Sequence, residues 1–447
     1  MTNEKYGLIG KTLVHSYSKE IHEALGRYQY QLFSLAEDEM PDFINARDFR
    51  GLNVTIPYKK DVIPLCDEVT DLARGIGAVN TLFWKNASET GSSESISQED
   101  KILVGHNTDY EGFLYAASRA GIDFEGKGVL ILGTGGTSLM ARRAAADQNA
   151  AKIYIASRHP ETDPPSGSEI QDAGILSTVS YDQLPEIANS IDVIVNTTPV
   201  GTFPNNMQQV IRLKDFPGCQ AVIDVIYNPF KTALLLEAEK LGLKYTNGLP
   251  MLVAQATAAA GYFLGTPGAF QKENQRIIKA LKQQMGNIVL IGMPGTGKSL
   301  IGKLLAELTG KTLQDTDAKI EEEAEMTIPE IFEKEGEAGF RDRESAICKK
   351  LGKERNLIIA TGGGAILRPE NVAALRQNGT LVHITRSIDK LPTRGRPLSK
   401  NIEALKKMEA QRMPLYKAAA DITFRNNYTC SRKKLRQRVT TYILEKL

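Results

Sequence analysis

The 447-residue chain has only four cysteines, Cys66, Cys219, Cys348 and Cys430, and no two of them form a CxxC pair. That spacing argues against a zinc cluster or a disulfide framework and suits a reducing compartment. An excess of charge is also missing. Lys+Arg 55 against Asp+Glu 53 leaves a net charge of +2, without the basic footprint of a nucleic-acid or membrane-surface binder. Neither nucleic acid nor membrane is expected as a partner, so anionic ligands must be held by local constellations. No apolar run approaches the ~18 residues of a membrane helix, and "MTNEKYGLIG" has neither a basic nor an apolar leader region. A cytoplasmic location is the expectation. There is no internal repeat: two glycine-rich loops, "GTGGTS" at 133–138 and "GMPGTGKSLIGK" at 292–303, differ in glycine spacing and in the residues downstream of each.

At about 150 residues per domain, the length suggests roughly three lobes. Short β-rich runs alternate with helical periodicity, the pattern of α/β architecture with parallel sheets. One series comprises "VLIL" at 129–132, "KIYIAS" at 152–157, "DVIVN" at 192–196 and "AVIDVIY" at 221–227; a second comprises "NIVLIG" at 287–292, "LIIATGGG" at 357–364 and "LVHIT" at 381–385. The expected division is a first lobe over 1–112 completed by a helix at 248–265, a second over 113–247, a linker helix over 266–285 and a third lobe over 286–447. The polar stretch "KNASETGSSESISQEDK" at 85–101 is expected to be an exposed loop or hairpin tip.

The C-terminal loop satisfies G-x-x-x-x-G-K-[ST] with Gly292, Gly297, Lys298 and Ser299, after an apolar strand and before an amphipathic helix. In that setting backbone N–H groups and the helix N-terminus bind phosphate oxygens, Lys298 adds a cation, and the Ser299 hydroxyl suits Mg²⁺. A nucleoside triphosphate is the implied ligand. Downstream, "LQDTD" carries Asp315 and Asp317, two carboxylates at a strand end able to share metal and hydroxyl duties. Beyond it come "FRDRE" with Arg341 and Glu344, "TGGG" at 361–364, "RGRPL" with Arg394 and Arg396, and "QRMPLY" with Arg412.

In this order after a P-loop, these motifs resemble the shikimate kinases, over about 286–447. The resemblance implies a nucleoside monophosphate kinase-like P-loop domain with a parallel sheet. It implies ATP on Gly295, Thr296, Gly297, Lys298, Ser299 and Leu300, and Mg²⁺ on Ser299 and Asp315. Asp317 would hold the ring hydroxyls of shikimate and orient or deprotonate the 3-hydroxyl. Arg341 and Arg412 would clamp its carboxylate, and Gly362, Gly363 and Gly364 would let the backbone approach the ring. Arg396 would neutralise charge on the transferred phosphoryl from a mobile lid, one shorter than in many members. The acidic run "EEEAE" at 321–325 reads as a solvated helix face.

The N-terminal loop, "VLILGTGGTS", comes after a strand and opens a helix, as a dinucleotide fold requires. Gly133, Thr134, Gly135, Gly136 and Thr137 form its turn, and Ser138 is small enough for helix–strand packing. The next strand ends in Ser157 and Arg158, and an arginine there suits the 2′-phosphate of NADP, with Glu161 and Asp163 discounted as ribose ligands. Ahead of this lobe, "VHSYS" places Ser16 and Ser18 at i, i+2. "LNVTIPYKK" brings Asn53, Thr55 and Lys59, "GAVNT" Asn80 and "GHNTDYEG" Asp109; "YNP" with Tyr227 and "NGLPMLVAQ" with Gly248 and Gln255 lie after the Rossmann pattern.

The whole set resembles shikimate dehydrogenase, over about 1–265: an α/β substrate lobe plus a Rossmann NADP lobe. It implies a Lys59–Asp109 catalytic dyad reducing 3-dehydroshikimate with NADPH. Ser16 and Ser18 would bind the carboxylate, Thr55, Asn80 and Gln255 the ring hydroxyls, and Tyr227 and Gly248 would line the pocket near the nicotinamide. Against the family's usual pattern the chain has Lys19 for a proline, Glu23 for an asparagine and Thr202 for a methionine. A quinate enzyme would favour threonine at 18 and an acid at 158, where the chain has Ser18 and Arg158. The expectation is therefore a bifunctional enzyme that makes shikimate and then phosphorylates it. The alternative is a dehydrogenase carrying a non-catalytic ATP-sensing module. Oligomeric state is left open.

Overall fold

The computed structural model describes residues 5–13, 16–86, 101–162, 174–391, 402–427 and 431–447. Arg394 and Arg396, Asp163, Cys430 and most of the polar stretch at 85–101 lie outside the described residues. The chain divides into two units, Met1–Thr202 with Gln208–Lys279, and Phe203–Met207 with Ala280–Leu447.

The first unit contains two sheets. Strands β1 (Tyr6–Gly10), β2 (Tyr30–Ser34), β3 (Gly51–Val54), β4 (Glu68–Val69), β5 (Thr81–Asn86) and β6 (Lys101–His106) are ordered β2-β1-β3-β5-β6-β4. The sequence pattern points to parallel sheets, but β5 runs antiparallel to both β3 and β6. The reason is that β5 and β6 are consecutive in space as in sequence, and antiparallel pairing needs no helical crossover.

Strands β7 (Gly128–Leu132), β8 (Lys152–Ser157), β9 (Leu176–Ser180), β10 (Val193–Asn196), β11 (Ala221–Asp224) and β12 (Lys244–Thr246) form the second sheet, ordered β12-β11-β10-β7-β8-β9 and parallel throughout. This is the doubly wound order with its switch point between β7 and β10, where such sheets take ligands at the strand C-termini. Strands β7, β10 and β11 are buried along their whole length, which is why they read as unbroken apolar runs rather than alternating ones. The helix Gly248–Phe263 returns to the first lobe and crosses the helix Asp109–Arg119. Gly112 makes the crossing possible, since a Cβ there would lie 2.6 Å from the Met251 carbonyl oxygen.

In the second unit, β13 (Asn287–Ile291), β14 (Thr312–Asp315), β15 (Leu357–Ala360), β16 (Gly379–Thr385) and β17 (Ile422–Arg425) form a parallel sheet ordered β14-β15-β13-β16-β17. Two apolar layers cover it: Ile301, Leu304 and Leu305 lie on one face, and Ile347, Leu351, Leu405 and Tyr416 on the other. The entry to β13 is tied down by Lys311, which donates to the carbonyls of Gln284 and Gly286 and to Asn356 Oδ1 at 2.9–3.0 Å. Burial lowers its pKa to about 8. Among the described residues no helix is long and apolar enough to cross a membrane.

Candidate active sites

Each unit holds a cavity built at the C-terminal ends of its strands. In the first unit a cavity of about 420 Å³ is lined by Ser16, Ser18, Thr55, Lys59, Asn80, Asp109 and Gln255, with Gly248 from the start of the returning helix and Thr137 and Tyr227 from the second lobe. Every expected substrate-contact residue of the dehydrogenase half is therefore gathered there. Lys59 Nζ donates to Asp109 Oδ2 at 2.5 Å, with the two side chains 25% and 16% exposed. The pair is held from behind. The Lys59 carbonyl accepts from Val79 N, and Asp109 N donates to Oδ1 of Asn107, a side chain locked by its own bond to the Ala78 carbonyl.

Asn80 shows how the pocket's polarity is set. Its Oδ1 accepts from Thr108 N at 2.7 Å, Thr81 Oγ1 at 2.9 Å and Thr108 Oγ1 at 3.2 Å. A backbone N–H can only donate, so the amide orientation is fixed, and Nδ2 is the group Asn80 offers to the cavity. Ser16 Oγ donates to Ser18 Oγ at 3.1 Å, so two hydroxyls converge on one point of the wall. Gln255 Nε2 bonds the Leu252 carbonyl, leaving its Oε1 as an acceptor.

The dinucleotide turn fits a bound pyrophosphate. Gly133 has φ +101°, a conformation that favours glycine, and Gly135 caps the helix Gly136–Asp147. Among the described residues, a Cβ at Gly135 or Gly136 would meet no atom within 4 Å. Those glycines are thus not packing against protein, and open space lies over a helix N-terminus suited to an anion. Ser138 is fully buried and accepts from Arg142 Nε. Ser157 is buried and accepts from His159 N, while Arg158 is exposed. Gly248, which lines the cavity, also meets a packing demand: a Cβ there would sit 1.9 Å from the Val225 carbonyl oxygen. Glycine is needed there so that the helix can start against that loop.

In the second unit a cavity of about 590 Å³ is lined by Gly295, Gly297, Lys298, Ser299, Leu300, Asp315, Asp317, Arg341, Glu344, Gly362, Gly363, Gly364 and Arg412. Gly295 and Gly297 have φ +84° and +95°. Lys298 Nζ donates to the carbonyls of Gly292 and Met293. Thr296 is the exception among the expected nucleotide residues: it does not line this cavity, and its side chain is buried and bonded to the Met293 carbonyl. Arg396, the expected lid residue, lies outside the described residues.

Ser299 Oγ donates to Asp315 Oδ2 at 3.1 Å, and Asp315 Oδ1 accepts from Asp317 N. One hydroxyl and one carboxylate are hard oxygen donors of the kind Mg²⁺ takes alongside nucleotide phosphates. Among the described residues no group of three or more His, Cys, Asp or Glu side chains is placed to hold a metal ion. The Asp317 pKa is pushed up to about 6 by burial, then by the charges of Asp315 and Glu344, with Lys298 pulling the other way. Burial also raises Glu344, against the pull of Arg341, to which it is bonded at 2.8 Å. Asp317 Oδ1 and Glu344 Oε1 are buried acceptors without a protein partner among the described residues. Beside two arginines, they suit a ligand that brings both hydroxyls and a carboxylate.

The three glycines are a packing requirement of this site. A Cβ on Gly362 would lie 2.5 Å from Asp317 Oδ1, on Gly363 2.7 Å from the Pro294 ring, and on Gly364 2.0 Å from Arg341 Nη1. Arg412 Nη1 and Tyr416 OH both donate to the Gly363 carbonyl. Gly364→Ala is expected to push the Arg341 guanidinium aside and break one end of a charged pair, raising the KM for the carboxylate substrate about 10- to 100-fold. ATP affinity should stay within about two-fold, because the P-loop is untouched; initial rates over a grid of both substrates would separate the two.

Sequence reasoning missed four features. Thr316 Oγ1 accepts from Gly362 N, and Tyr416 braces Gly363; both sit inside kinase motifs but carry no spacing signal. The acidic run at 321–325 is not wholly a solvated face, since Glu321 lines the cavity and accepts from Ile328 N. The apolar wall of Phe332, Phe340 and Met408 was invisible because buried apolar residues look alike in sequence.

Comparison with known proteins matches each half separately. A family model described as shikimate dehydrogenase substrate binding domain matches residues 8–82, and one described as shikimate kinase matches residues 294–447. The shikimate dehydrogenase (NADP(+)) of Caldicellulosiruptor bescii is 35% identical over 268 residues, covering 57% of this chain and 88% of that protein. The shikimate kinase of Nitrosomonas europaea is 48% identical over 145 residues, covering 31% of this chain and 69% of that protein. Among solved structures, a chorismate mutase/shikimate 5-dehydrogenase fusion protein from Clostridium acetobutylicum is similar at TM-score 0.54 and 32% identity, covering 63% of this chain and 98% of that one.

Proposed function

This chain belongs to the shikimate dehydrogenase family in its N-terminal part and to the shikimate kinase family in its C-terminal part, which makes it a bifunctional enzyme of the shikimate pathway; we propose that its two sites carry out consecutive steps. The first unit reduces 3-dehydroshikimate to shikimate with NADPH, and the second phosphorylates shikimate to shikimate 3-phosphate with ATP and Mg²⁺. The product serves chorismate and aromatic amino-acid synthesis. The proposed domain division is 1–112 with 248–265, 113–247, a linker over 266–285, and 286–447. A cytoplasmic location is part of the reading, supported by Cys66, Cys219 and Cys348 being free thiols.

Bound NADPH supplies the hydride. The chain's part is to receive the negative charge left on the former ketone oxygen. Lys59 stabilises that charge and supplies a proton, and Asp109 holds the ammonium and joins its proton relay. Ser16 and Ser18 take the carboxylate; Thr55, Asn80 and Gln255 take the ring hydroxyls. Arg158 would take the 2′-phosphate of the cofactor, and the turn of Gly133, Thr134, Gly135, Gly136 and Thr137, with Ser157, would hold the rest of the dinucleotide.

In the kinase site Ser299 and Asp315 would hold Mg²⁺, which would neutralise phosphate charge. Lys298 and the Gly295–Leu300 backbone orient the triphosphate, and Asp317 orients and deprotonates the attacking hydroxyl. Arg341 and Arg412 hold the carboxylate, and Arg396 is assigned to the transferred phosphoryl.

What carries the reading is that each cavity gathers a complete set of reacting and anchoring groups: Lys59, Asp109 and the two serines in one, Lys298, Asp317 and the two arginines in the other. An ATP-sensing module would have no use for Asp317, Arg341 and Arg412 together. The test is to incubate the protein with 3-dehydroshikimate, NADPH, ATP and Mg²⁺ and identify the products by mass. Shikimate 3-phosphate is expected; shikimate alone with ATP intact would overturn the kinase half of the reading.

A further inference from the structure

Behind the reductase cavity lies a buried polar chain that takes no part in the chemistry above. Tyr30, on β2, is 1% exposed, and its hydroxyl donates to Asn53 Oδ1 at 2.7 Å. Asn53, on β3, spends the other end of its amide on the Asn80 carbonyl and on Thr81 Oγ1, both at 3.3 Å. Although Asn53 borders the cavity, its amide oxygen and nitrogen are both engaged within the protein. Thr81 Oγ1 in turn donates to Asn80 Oδ1 at 2.9 Å and meets Thr108 Oγ1 at 2.9 Å.

The ring of Tyr30 is clamped as well. His22 stacks on it with centroids 4.0 Å apart and planes 4° off parallel, and Phe263 lies beyond at 5.8 Å from His22. His22 is fully buried, bonded through Nδ1 to Tyr28 OH at 2.7 Å. Burial lowers its pKa to about 3, so the stack is uncharged. It sits on the short helix Ser18–Glu23, whose first residue is one of the two carboxylate-facing serines.

A phenylalanine would fill the same space and make the same stack. The phenol instead buries a polar group, which gains little net stability over water. What the hydroxyl adds is direction. It accounts for one end of the Asn53 amide, which leaves the other end to donate to Thr81, which leaves the Thr81 proton for Asn80. Without it Asn53 Oδ1 loses that donor; the Asn80 carbonyl still sets which way the amide faces, but the side chain can shift away from Thr81 and the Thr81 hydroxyl can turn from Asn80. Asn80 is then held by Thr108 alone, which keeps its oxygen inward but leaves Nδ2 less tightly aimed.

We propose that Tyr30 is a positioning residue of the reductase pocket, its hydroxyl tightening, through Asn53 and Thr81, the hold on Asn80 as it presents its N–H to a ring hydroxyl of the substrate. The proposal rests on the dehydrogenase reading of this cavity and adds to it a residue that touches neither substrate nor cofactor.

Tyr30→Phe in the full chain tests it. The KM for 3-dehydroshikimate should rise about ten-fold, the ratio expected for one well-placed hydrogen bond. The kcat should stay within about two-fold, since Lys59 and Asp109 are held through Val79 and Asn107, and the KM for NADPH should not move. Calorimetric binding of shikimate should weaken by the same factor, a readout that needs no turnover. With a substrate analogue lacking the ring hydroxyl that Asn80 meets, wild type and variant should become equal, and Asn80→Ala should abolish the effect of Tyr30→Phe. A merely structural tyrosine would lower the melting temperature and leave these ratios alone. The proposal is overturned if the KM is unchanged, if the increase persists with every deoxy analogue, or if the NADPH KM rises in parallel. Failure of wild-type protein to oxidise NADPH with 3-dehydroshikimate would instead remove the underlying reading.

Discussion

Lys59→Ala is expected to lower the kcat for NADPH-dependent reduction by about 10³-fold or more, while shikimate-dependent ADP formation continues at the wild-type rate. The size of the loss reflects the groups that remain. With the ammonium gone, the developing oxyanion loses its counter-charge and its proton source together. It also faces Asp109, only 16% exposed and bonded to Lys59 at 2.5 Å in the native protein, now an uncompensated carboxylate next to growing negative charge. Truncating one partner of such a pair costs more than the pair's net worth. Lys59→Arg should not rescue the rate, because a guanidinium cannot give up its proton at neutral pH and needs more room. The KM values should change little, since Ser16, Ser18 and Asn80 hold the substrate independently of the lysine. Stopped assays of NADPH oxidation and ADP release on the same preparation decide it. Retention of more than about a tenth of the wild-type kcat, against a general acid's usual 10²–10⁴-fold, would remove Lys59 from the chemistry. Loss of both activities in a folded variant would end the picture of independent sites.

The dehydrogenase and kinase sites are legible in the sequence to different depths. The P-loop announces itself because its chemistry is backbone chemistry: Gly295 and Gly297 occupy left-handed φ, so the pattern of glycines is the mechanism written out. The Rossmann turn is legible for the same reason at Gly133. The dyad is less so. Lys59 and Asp109 are fifty positions apart and meet only because β3, the Lys59 loop and the helix beginning at Asp109 converge. Family resemblance, not spacing, brings them together.

What stays hidden is how the anchors are aimed. Asn80 can be named as a ligand residue, but that its oxygen is taken three times and its nitrogen left for substrate depends on Thr81 and Thr108 in space. Tyr30 and His22 look like ordinary core residues until their polar atoms are traced. The antiparallel β5 escapes the pattern because apolar periodicity reports burial, not direction. Gly248 reads in sequence as a cofactor-side residue; its crowding against Val225 is a backbone-to-backbone approach that no side-chain pattern encodes.

Asp317→Asn should separate the kinase's chemistry from its binding. The amide keeps the shape but cannot take a proton, and it weakens the negative field that complements Lys298 and bound Mg²⁺. A fall of about 10³-fold in the kcat of shikimate-dependent ADP formation is expected, with NADPH oxidation unaffected. ATP affinity should stay within a few-fold, because the loop amides and Lys298 remain. Stability should move the other way. The folded pKa of about 6 against an ordinary 3.8 means that the folded site prefers the neutral acid. That preference is fully available below pH 3.8 and is lost as pH rises through about 6. At pH 8 without Mg²⁺ the wild-type unit therefore carries a buried charge that costs on the order of 3 kcal/mol, and the asparagine variant should melt higher. At pH 4 the gap should close. A variant both inactive and less stable at pH 8 would mean that Asp317 holds the fold together, and the assignment of the base would have to pass to another group. A variant inactive yet more stable is what a site that trades stability for a reactive carboxylate predicts.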